Sequence, residues 1–346
     1  MSVDRLSDAI RRLPRRQVDV SDIRKLQEAA GSKINDDEAA LLQKLAREKD
    51  RFTADGRAML EELLGTTGSN AGPGKAKATS FELKGRHEVD IGEPSALAFI
   101  SPEHGFVVAA DDGSALWQVG IPRGKKADAT ELEPSGGKLK GLEGGAYDAD
   151  AKTLLLVSED TREVLQVKVD RGGDELSLGK AERLCKLPAL NDEGNKGWEG
   201  IAVLPARLSP DGKPHLLAVH EGSPRRIGVL DRKSGEVEAL LELPESHKDA
   251  LEDLSDITVD PRTGHLFILS DRAETILEAS LKLNMRGGAA GRARTSWELE
   301  GLGTTELPRI SGSGRLQPEG LAFDHRGDLW VTSEGGKGLL HLERKD

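Results

Sequence analysis

The same short motif occurs five times along this chain of 346 residues, in copies spaced roughly 50–60 residues apart. The copies lie at residues 94–99, 143–148, 199–203, 255–260 and 319–324. Each is followed by a turn and by an apolar run that ends in an acid, at residues 106–111, 154–159, 216–221, 266–271 and 329–334. A supersecondary unit repeated at this interval, with four short strands in each copy, is typical of a β-propeller. We therefore predict an all-β propeller with one blade for each repeat.

The number of blades depends on which repeats are complete. The second, third and fourth repeats each contain four β-type runs, and the first has a weak fourth run at residues 130–132. The last repeat has only three runs before the sequence stops, while an unassigned run at residues 80–91 precedes the first repeat. We predict that this N-terminal run forms the outer strand of the last blade, because that pairing closes the ring and covers an exposed edge. Five blades are favoured, and a sixth blade within the Gly-rich residues 284–314 is the alternative.

Residues 1–66 differ from the rest of the chain. Leu, Ala, Glu, Lys and Arg dominate there, and apolar residues recur at helical spacing on three segments that each begin with a capping residue. This pattern predicts a small all-α bundle, followed by a flexible linker at residues 67–79 and by the β-propeller at residues 80–346. The acids of the bundle lack the ligand spacing of an EF-hand, which leaves helix capping or a metal-free helix-loop-helix pair.

Composition limits the partners and the compartment. A net charge of −11 argues against a nucleic-acid partner, whose phosphates need clustered Lys and Arg, and is compatible with cations or basic partners. The single cysteine, Cys185, excludes an intramolecular disulfide and is expected to pack as a small hydrophobe. The first residues lack a signal-peptide core and no stretch is apolar enough for a membrane span, which indicates a cytoplasmic protein. Removal of an export signal would instead indicate the periplasm or the cell exterior.

The repeats place acids at two recurrent positions. The first strand of a blade lines the central channel and the second runs back beside it, so the start of one and the end of the other meet at the same mouth. The first position holds Glu143, Glu199 and Glu319, with Ser95 and Ser255 in the other two repeats. The second position holds Glu159, Glu221, Asp271 and Glu334, with Asp111 in the first repeat. Carboxyl groups crowded at one mouth would raise each other's pKa values, and a bound cation would relieve their repulsion.

We predict that the seven glutamate and aspartate side chains in repeats two to five bind a metal ion. The ligands are all oxygen, with no Cys and only His220 nearby, and this set favours Ca²⁺ over Mg²⁺ or Mn²⁺. The predicted ligand-binding residues beside them are Trp198, His220, Arg225 and Arg272. The alternative is structural, because a Glu-Gly pair can simply cap a turn and acids at strand ends can face water. No catalytic residue is assigned.

Residues 195–202, 253–271 and 317–324 resemble the SdiA-regulated (YjiK-like) β-propellers. The resemblance extends through residues 142–146 and 157–160 and covers about residues 85–343. This family is similar to phytase-like and esterase-like calcium propellers, so the resemblance implies a metal site on the channel axis and leaves the activity undefined. The chain departs from the family at residues 1–66, which lie outside the resemblance, and at Ser255 and Asp256, which replace Glu-Gly in the fourth repeat.

Three functions remain open. The first is a calcium-binding propeller that recognises a small molecule or a protein at its acidic channel mouth, without turnover. The second is a metal-dependent hydrolase of phosphate esters, carboxylic esters or lactones, in which the ion polarises the scissile group. The third is a structural interaction scaffold. The lack of a Gly-x-Ser-x-Gly elbow, a His-Glu-x-x-His pair or a P-loop favours the first function.

Overall fold

The computed structural model describes residues 78–110, 115–135, 139–173, 175–190, 197–286, 294–308, 314–336 and 338–345. It also describes eight earlier positions: Ile10, Leu13, Val18, Asp22, Lys25, Leu26, Leu42 and Leu45. The chain divides into two compact units, Met1–Ala76 and Lys77–Asp346. In the first unit, Val18, Leu26, Leu42 and Leu45 are buried. The predicted helical bundle and linker lie mostly outside the described residues and stay predictions.

The second unit consists of five antiparallel sheets of four strands each, which is a five-bladed propeller. Blade 1 contains β2 (Pro94–Ser101), β3 (Gly105–Ala110), β4 (Leu116–Val119) and β5 (Ala129–Leu132). Blade 2 contains β6 (Leu142–Asp148), β7 (Thr153–Ser158), β8 (Glu163–Asp170) and β9 (Ser177–Lys186). Blade 3 contains β10 (Trp198–Leu204), β11 (His215–His220), β12 (Arg226–Asp231) and β13 (Val237–Leu241). Blade 4 contains β14 (Asp256–Val259), β15 (Leu266–Ser270), β16 (Thr275–Arg286) and β17 (Arg294–Glu306), and a short 3₁₀ helix, Lys248–Ala250, precedes it.

Blade 5 is completed by the N-terminal strand of the propeller. It contains β18 (Pro318–Phe323), β19 (Leu329–Ser333), β20 (Gly338–Lys345) and β1 (Ser80–Glu88), in the order β1-β20-β19-β18. β1 pairs with β20 from Ser80 opposite Lys345 to Glu88 opposite Gly338. The predicted closure is therefore confirmed. The sixth-blade alternative is wrong, because the residues assigned to it contribute instead to the long β16–β17 hairpin of blade 4.

The core of the propeller lies between the blades. The inner strands β2, β6, β10, β14 and β18 contact one another in ring order. One cluster of buried apolar side chains fills each of the five spaces between adjacent blades. This follows from the sequence, because the second strands are continuous apolar runs that present hydrophobic side chains to both neighbouring blades. Burial of this apolar surface fixes the blades and so positions the channel mouths.

Buried ion pairs connect adjacent blades at the turns between first and second strands. The Asp260 carboxylate of blade 4 lies 2.7 Å from the Arg344 guanidinium of blade 5, and Asp260 is fully buried. In the same way, Asp148 of blade 2 lies 2.7 Å from Arg232 of blade 3. At the equivalent turn of blade 1, the His104 ring lies 2.8 Å from the carbonyl oxygen of Gly173 in blade 2. These contacts lie at the end of the blades opposite the predicted acid positions.

No helix among the described residues is long and apolar enough to cross a membrane.

Candidate functional site

The strand register brings the two predicted acid positions of a blade to the same end of its inner strands. At the start of β6, Leu142 is opposite Ser158, so the neighbouring residues Glu143 and Glu159 lie at one end of the pair. The backbone N–H of Glu159 donates to the carbonyl oxygen of Gly141 at 2.9 Å. The same hydrogen bond recurs from Glu221 to Gly197 at 3.0 Å and from Glu334 to Gln317 at 3.1 Å. Blades 2, 3 and 5 therefore place their acids in the same way.

These acids form one electrostatic cluster, which we call the acidic mouth. Glu199 interacts with Glu159, Glu143 and Glu221, and Glu319 interacts with Asp271, Glu334, Asp253 and Glu221. Glu221 belongs to both sets and so connects them. All seven predicted carboxyl groups thus belong to one set of electrostatically interacting acids, which Asp253 joins: Glu143, Glu159, Glu199, Glu221, Asp271, Glu319 and Glu334. Asp111, the corresponding acid of the first repeat, lies outside the described residues.

Burial and mutual repulsion raise the pKa values of the central carboxyl groups. Burial raises the pKa of Glu319 to about 9, and four neighbouring carboxylates add to the rise. Burial also raises the pKa of Glu199 well above its usual range, with further contributions from Glu159, Glu143 and Glu221. The N–H of Gly197 donates to Glu159 at 3.1 Å and to Glu199 at 3.2 Å, which partly offsets their charge. The acidic mouth therefore favours neutralisation of its carboxylates by positive charge over full ionisation of all of them.

Asp253 supplies the acid that the fourth repeat lacks. Where the other repeats have Glu, this repeat has Ser255, whose side chain donates to the carbonyl oxygen of Pro318 at 3.2 Å. Asp253, two positions earlier, is buried and accepts hydrogen bonds from the Ser270 hydroxyl at 2.5 Å and the Arg272 backbone N–H at 3.2 Å. The sequence analysis missed Asp253 because it compared only aligned positions. The sequence nevertheless contained a signal for Asp253, because it lies two positions before the Ser255 that replaces Glu.

Two arginines lie at the acidic mouth. The predicted ligand-binding residue Arg272 is 3.4 Å from Asp253 and 3.8 Å from Glu221. Arg315, which the sequence analysis did not single out, is 3.2 Å from Asp271. Both guanidinium groups are about half exposed, with side-chain exposures of 47% and 53%. They neutralise part of the acidic mouth and still present N–H donors to solvent.

The other predicted ligand-binding residues have surroundings of a different kind. Trp198 is fully buried in the apolar cluster between blades 2 and 3, and its indole N–H donates to the carbonyl oxygen of Pro188 at 2.8 Å. His220 is buried with its ring edge-on to Trp198 at 5.4 Å, and burial lowers its pKa. Arg225 donates to the carbonyl oxygen of Lys248 at 3.1 Å. A ligand-binding role for these three residues stays a prediction.

A further carboxyl group, Asp256, lies just inside the mouth. It occupies the position held by glycine in blades 2, 3 and 5, and its Oδ2 accepts the N–H of Leu321 at 2.6 Å. Complete burial raises the pKa of Asp256 well above its usual range, despite hydrogen bonds from backbone N–H groups. The close contact explains the glycine of the preceding blade, since a Cβ on Gly200 would lie 2.4 Å from Asp256 Oδ1. The inner strands therefore approach one another closely at this level.

The chemistry of the acidic mouth suits a hard cation. Its donors are carboxylate oxygens on strand ends and turns, which is the ligand type of Ca²⁺ and Mg²⁺ rather than of Zn²⁺ or copper. A second cluster of potential ligands, Asp324, Asp328 and His341, is closely spaced but already hydrogen-bonded internally. Asp324 accepts the indole N–H of Trp330 at 3.1 Å, and Asp328 lies 3.0 Å from the His341 ring. We therefore assign that second cluster a structural role.

The chain is similar to one described protein family and, at low sequence identity, to solved structures. Residues 149–337 match the family model described as SdiA-regulated. Glutaminyl cyclase of Myxococcus xanthus is similar over 78% of this chain and 98% of its own, with 12% identity and a TM-score of 0.49. Hydrazine synthase of Kuenenia stuttgartiensis is similar over 73% and 78%, with 16% identity and a TM-score of 0.37. A Lactobacillus plantarum protein is similar over 73% and 70%, with 13% identity and a TM-score of 0.39. These likenesses concern the fold alone.

Proposed function

The chain belongs to the SdiA-regulated family of β-propellers, and we propose that it binds a divalent cation, calcium, at the acidic mouth and recognises a ligand or partner protein there. The observation that carries the proposal is the continuous cluster of eight carboxyl groups, with Glu199 and Glu319 held largely away from water. Buried carboxylates that repel one another need either protons or a cation for neutralisation. A cation competes with protons at neutral pH when several oxygens can coordinate it at once.

Calcium is favoured over magnesium by the number and origin of the oxygens. Calcium accepts six to eight oxygen ligands in adaptable geometry, whereas magnesium requires a near-ideal octahedron and keeps several of its waters. The carboxyl groups here come from blades 2, 3, 4 and 5, so their spacing is set by blade packing rather than by one compact loop. Such a set fits the larger and more tolerant ion.

Recognition at the mouth would use Arg272 and Arg315 together with the bound ion. Their half-exposed guanidinium groups can donate paired hydrogen bonds to an anionic group. The same observation favours metal-dependent hydrolysis of an ester or lactone as a second candidate, since a bound cation would polarise a carbonyl or phosphoryl oxygen. No residue at the acidic mouth is identified as a general base, so recognition without turnover is the favoured function.

Calorimetric titration of chelator-treated protein with Ca²⁺ tests the proposal. We expect saturable binding by the native chain, and binding weakened at least about tenfold in Glu199→Gln and Glu319→Gln, because each substitution removes one anionic ligand. Glu131→Gln is the matched control, since Glu131 is an exposed residue of β5 at the outer edge of blade 1. Magnesium, added at the same concentrations, should bind more weakly.

The outcomes separate the candidate functions. Absence of heat and of any calcium-induced rise in Tm, in protein verified to be free of ion, would refute the metal site and leave an interaction scaffold. If Glu131→Gln weakened calcium binding as much as Glu199→Gln and Glu319→Gln do, the proposed location of the ion at the acidic mouth would be refuted. Calcium-dependent hydrolysis of aryl esters or aryl phosphates, abolished by Glu199→Gln, would replace recognition with catalysis.

A further inference from the structure

Blade 4 carries a two-stranded ribbon that has no counterpart among the described strands of the other blades. β16 and β17 contain 12 and 13 residues, whereas the inner strands β14 and β15 contain 4 and 5. β15 pairs with β16 only as far as Ala279, so residues 280–286 and 294–300 pair only with each other. A two-stranded ribbon alone is marginally stable in water. Support from neighbouring structure is therefore needed to hold it in place.

Blade 3 supplies that support. Leu281 and Leu299 of the ribbon are buried in the apolar cluster between blades 3 and 4. Trp297 lies edge-on against the ring of the buried His215 of β11, with 5.0 Å between ring centroids. The ribbon is thus anchored beside the outer strand of blade 3 and forms a fixed wall.

A groove of about 870 Å³ lies between this wall and blade 3. One side is formed by Leu240, Leu241 and the segment that follows β13, and the other by the ribbon around Lys282 and Trp297. We call it the β13 groove. Its volume is in the range of grooves that hold a ligand or a short peptide segment. Among the residues that the structure describes, β13 pairs only with β12, and its outer edge there offers backbone N–H and C=O groups to an added strand.

β13 also offers an apolar contact on its face away from the ribbon, because Ala239 and Leu241 face the cluster that it shares with the ribbon. Leu240 is 41% exposed, and Leu83 is the only other large hydrophobic side chain exposed among the described residues. Leu240 therefore stands out on a propeller surface that otherwise buries its large apolar residues. An extended peptide in the groove could cover it with one apolar side chain while its backbone pairs with β13.

The charge of the β13 groove identifies the kind of peptide. Glu242, Glu245, Glu298 and Glu300 line it, with Lys282 as the single basic lining residue among those the structure describes. Glu242 and Glu245 are 75% and 84% exposed, and their ion pairs with Arg226 and Lys248 are surface pairs that an incoming cation can replace at little cost. The net charge of −11 adds long-range attraction for a basic partner.

We propose that the β13 groove binds an extended basic peptide segment of a partner protein, which adds a fifth strand to blade 3 and covers Leu240. Lysine or arginine side chains on the face of the added strand toward the ribbon meet Glu298 and Glu300, and an apolar side chain on the other face meets Leu240. The proposal requires no metal at the acidic mouth.

Fluorescence anisotropy with a short labelled peptide of alternating lysine and valine tests the proposal on the full-length chain. We expect Leu240→Ser to weaken binding about tenfold or more, and Glu298→Lys to weaken it with a reduced dependence on salt. Leu83→Ser is the matched control, because Leu83 is the other exposed leucine and also lies on an outer strand, β1. It should leave binding unchanged.

Three results would overturn the proposal. Equally strong binding of a peptide with glutamate in place of lysine would show that charge does not select the peptide. Full affinity of a peptide methylated at alternate backbone nitrogens would show that the peptide backbone does not pair with β13. Binding that is insensitive to Leu240→Ser but lost in Glu199→Gln would place the basic peptide at the acidic mouth instead. Circular dichroism of each variant confirms that the fold is retained.

Discussion

Loss of the Arg344 guanidinium should destabilise the propeller strongly, because it leaves a buried charge without its partner. Arg344 is 10% exposed, and the fully buried Asp260 lies 2.7 Å from it. Removal of one member of such a pair costs about 3–5 kcal/mol. Asp260 retains hydrogen bonds from the Arg262 N–H and the Thr263 hydroxyl, at 2.9 and 2.8 Å, which places the expected cost of Arg344→Leu near the lower end of that range. The guanidinium also packs over the Phe81 ring at 5.6 Å, and this contact is lost as well.

The assay is urea unfolding followed by tryptophan fluorescence. All four tryptophans lie in the propeller, at positions 117, 198, 297 and 330, so the signal reports on that unit. The matched control is Arg183→Leu, whose guanidinium is 63% exposed and lies 3.2 Å from Glu163. We expect the control to lose less than about 1 kcal/mol, because exposed pairs contribute little. A double-mutant cycle with Asp260→Asn should recover part of the loss in Arg344→Leu, since the residue left behind is then uncharged.

The reasoning would be refuted if Arg344→Leu and Arg183→Leu lowered the free energy of unfolding equally. It would also be refuted if the losses in Arg344→Leu and Asp260→Asn were additive, because additive losses mean that the two side chains do not interact.

Three further predictions concern single residues. In metal-free protein the raised pKa of Glu319 means that the folded state binds the Glu319 proton more tightly than the unfolded state does. This contribution to stability is therefore full below pH 4.5 and is lost as pH rises toward about 9. Glu319→Gln should remove this pH dependence and be more stable than the native chain at pH 7 by about 3 kcal/mol, measured by urea unfolding in chelator. Gly200→Ala should lower Tm by several degrees because its Cβ would overlap Asp256, whereas Gly124→Ala, which has open space around it, should not; equal melting curves would contradict the close approach of the inner strands. Burial raises the pKa of Cys185, so a thiol reagent at pH 7 should react slowly with the folded chain and rapidly in urea, and equal rates would contradict its packing.

The repeats made the fold predictable from the sequence. Each blade repeats an inner strand followed by a largely apolar second strand, with an acid at the start of the inner strand in blades 2, 3 and 5, so strand type and order could be read by comparing copies. The closure of blade 5 by β1 also followed, because one repeat was a strand short and one strand had no repeat. Comparison of the copies likewise gave the positions of Glu143, Glu199 and Glu319 on their strands.

Features that differ between blades could not be predicted in this way. Asp253 lies at an offset that only one repeat uses, and its place at the acidic mouth depends on the turn before β14. The sequence shows that Arg344 is a basic residue of the last strand, but its pairing with Asp260 depends on how two blades pack. The long ribbon of blade 4 was not predicted, since residues 284–314 entered the sequence analysis only as an alternative sixth blade, because the Gly-rich residues between the two strands obscure their length.

The pairing of β1 with β20 has a consequence for how the protein is made. Glu88 pairs with Gly338, 250 positions further along the chain. At the usual pace of translation, about 5–20 residues per second, β1 leaves the ribosome roughly 10–50 s before its partner exists. For most of that interval Phe81 lacks its aromatic neighbour Phe323, and blades 1 to 4 can assemble only as an open arc. The newly made chain must therefore keep an unpaired strand from joining other chains until β20 has been made, and closure of the ring is expected to be a slow step that requires β20.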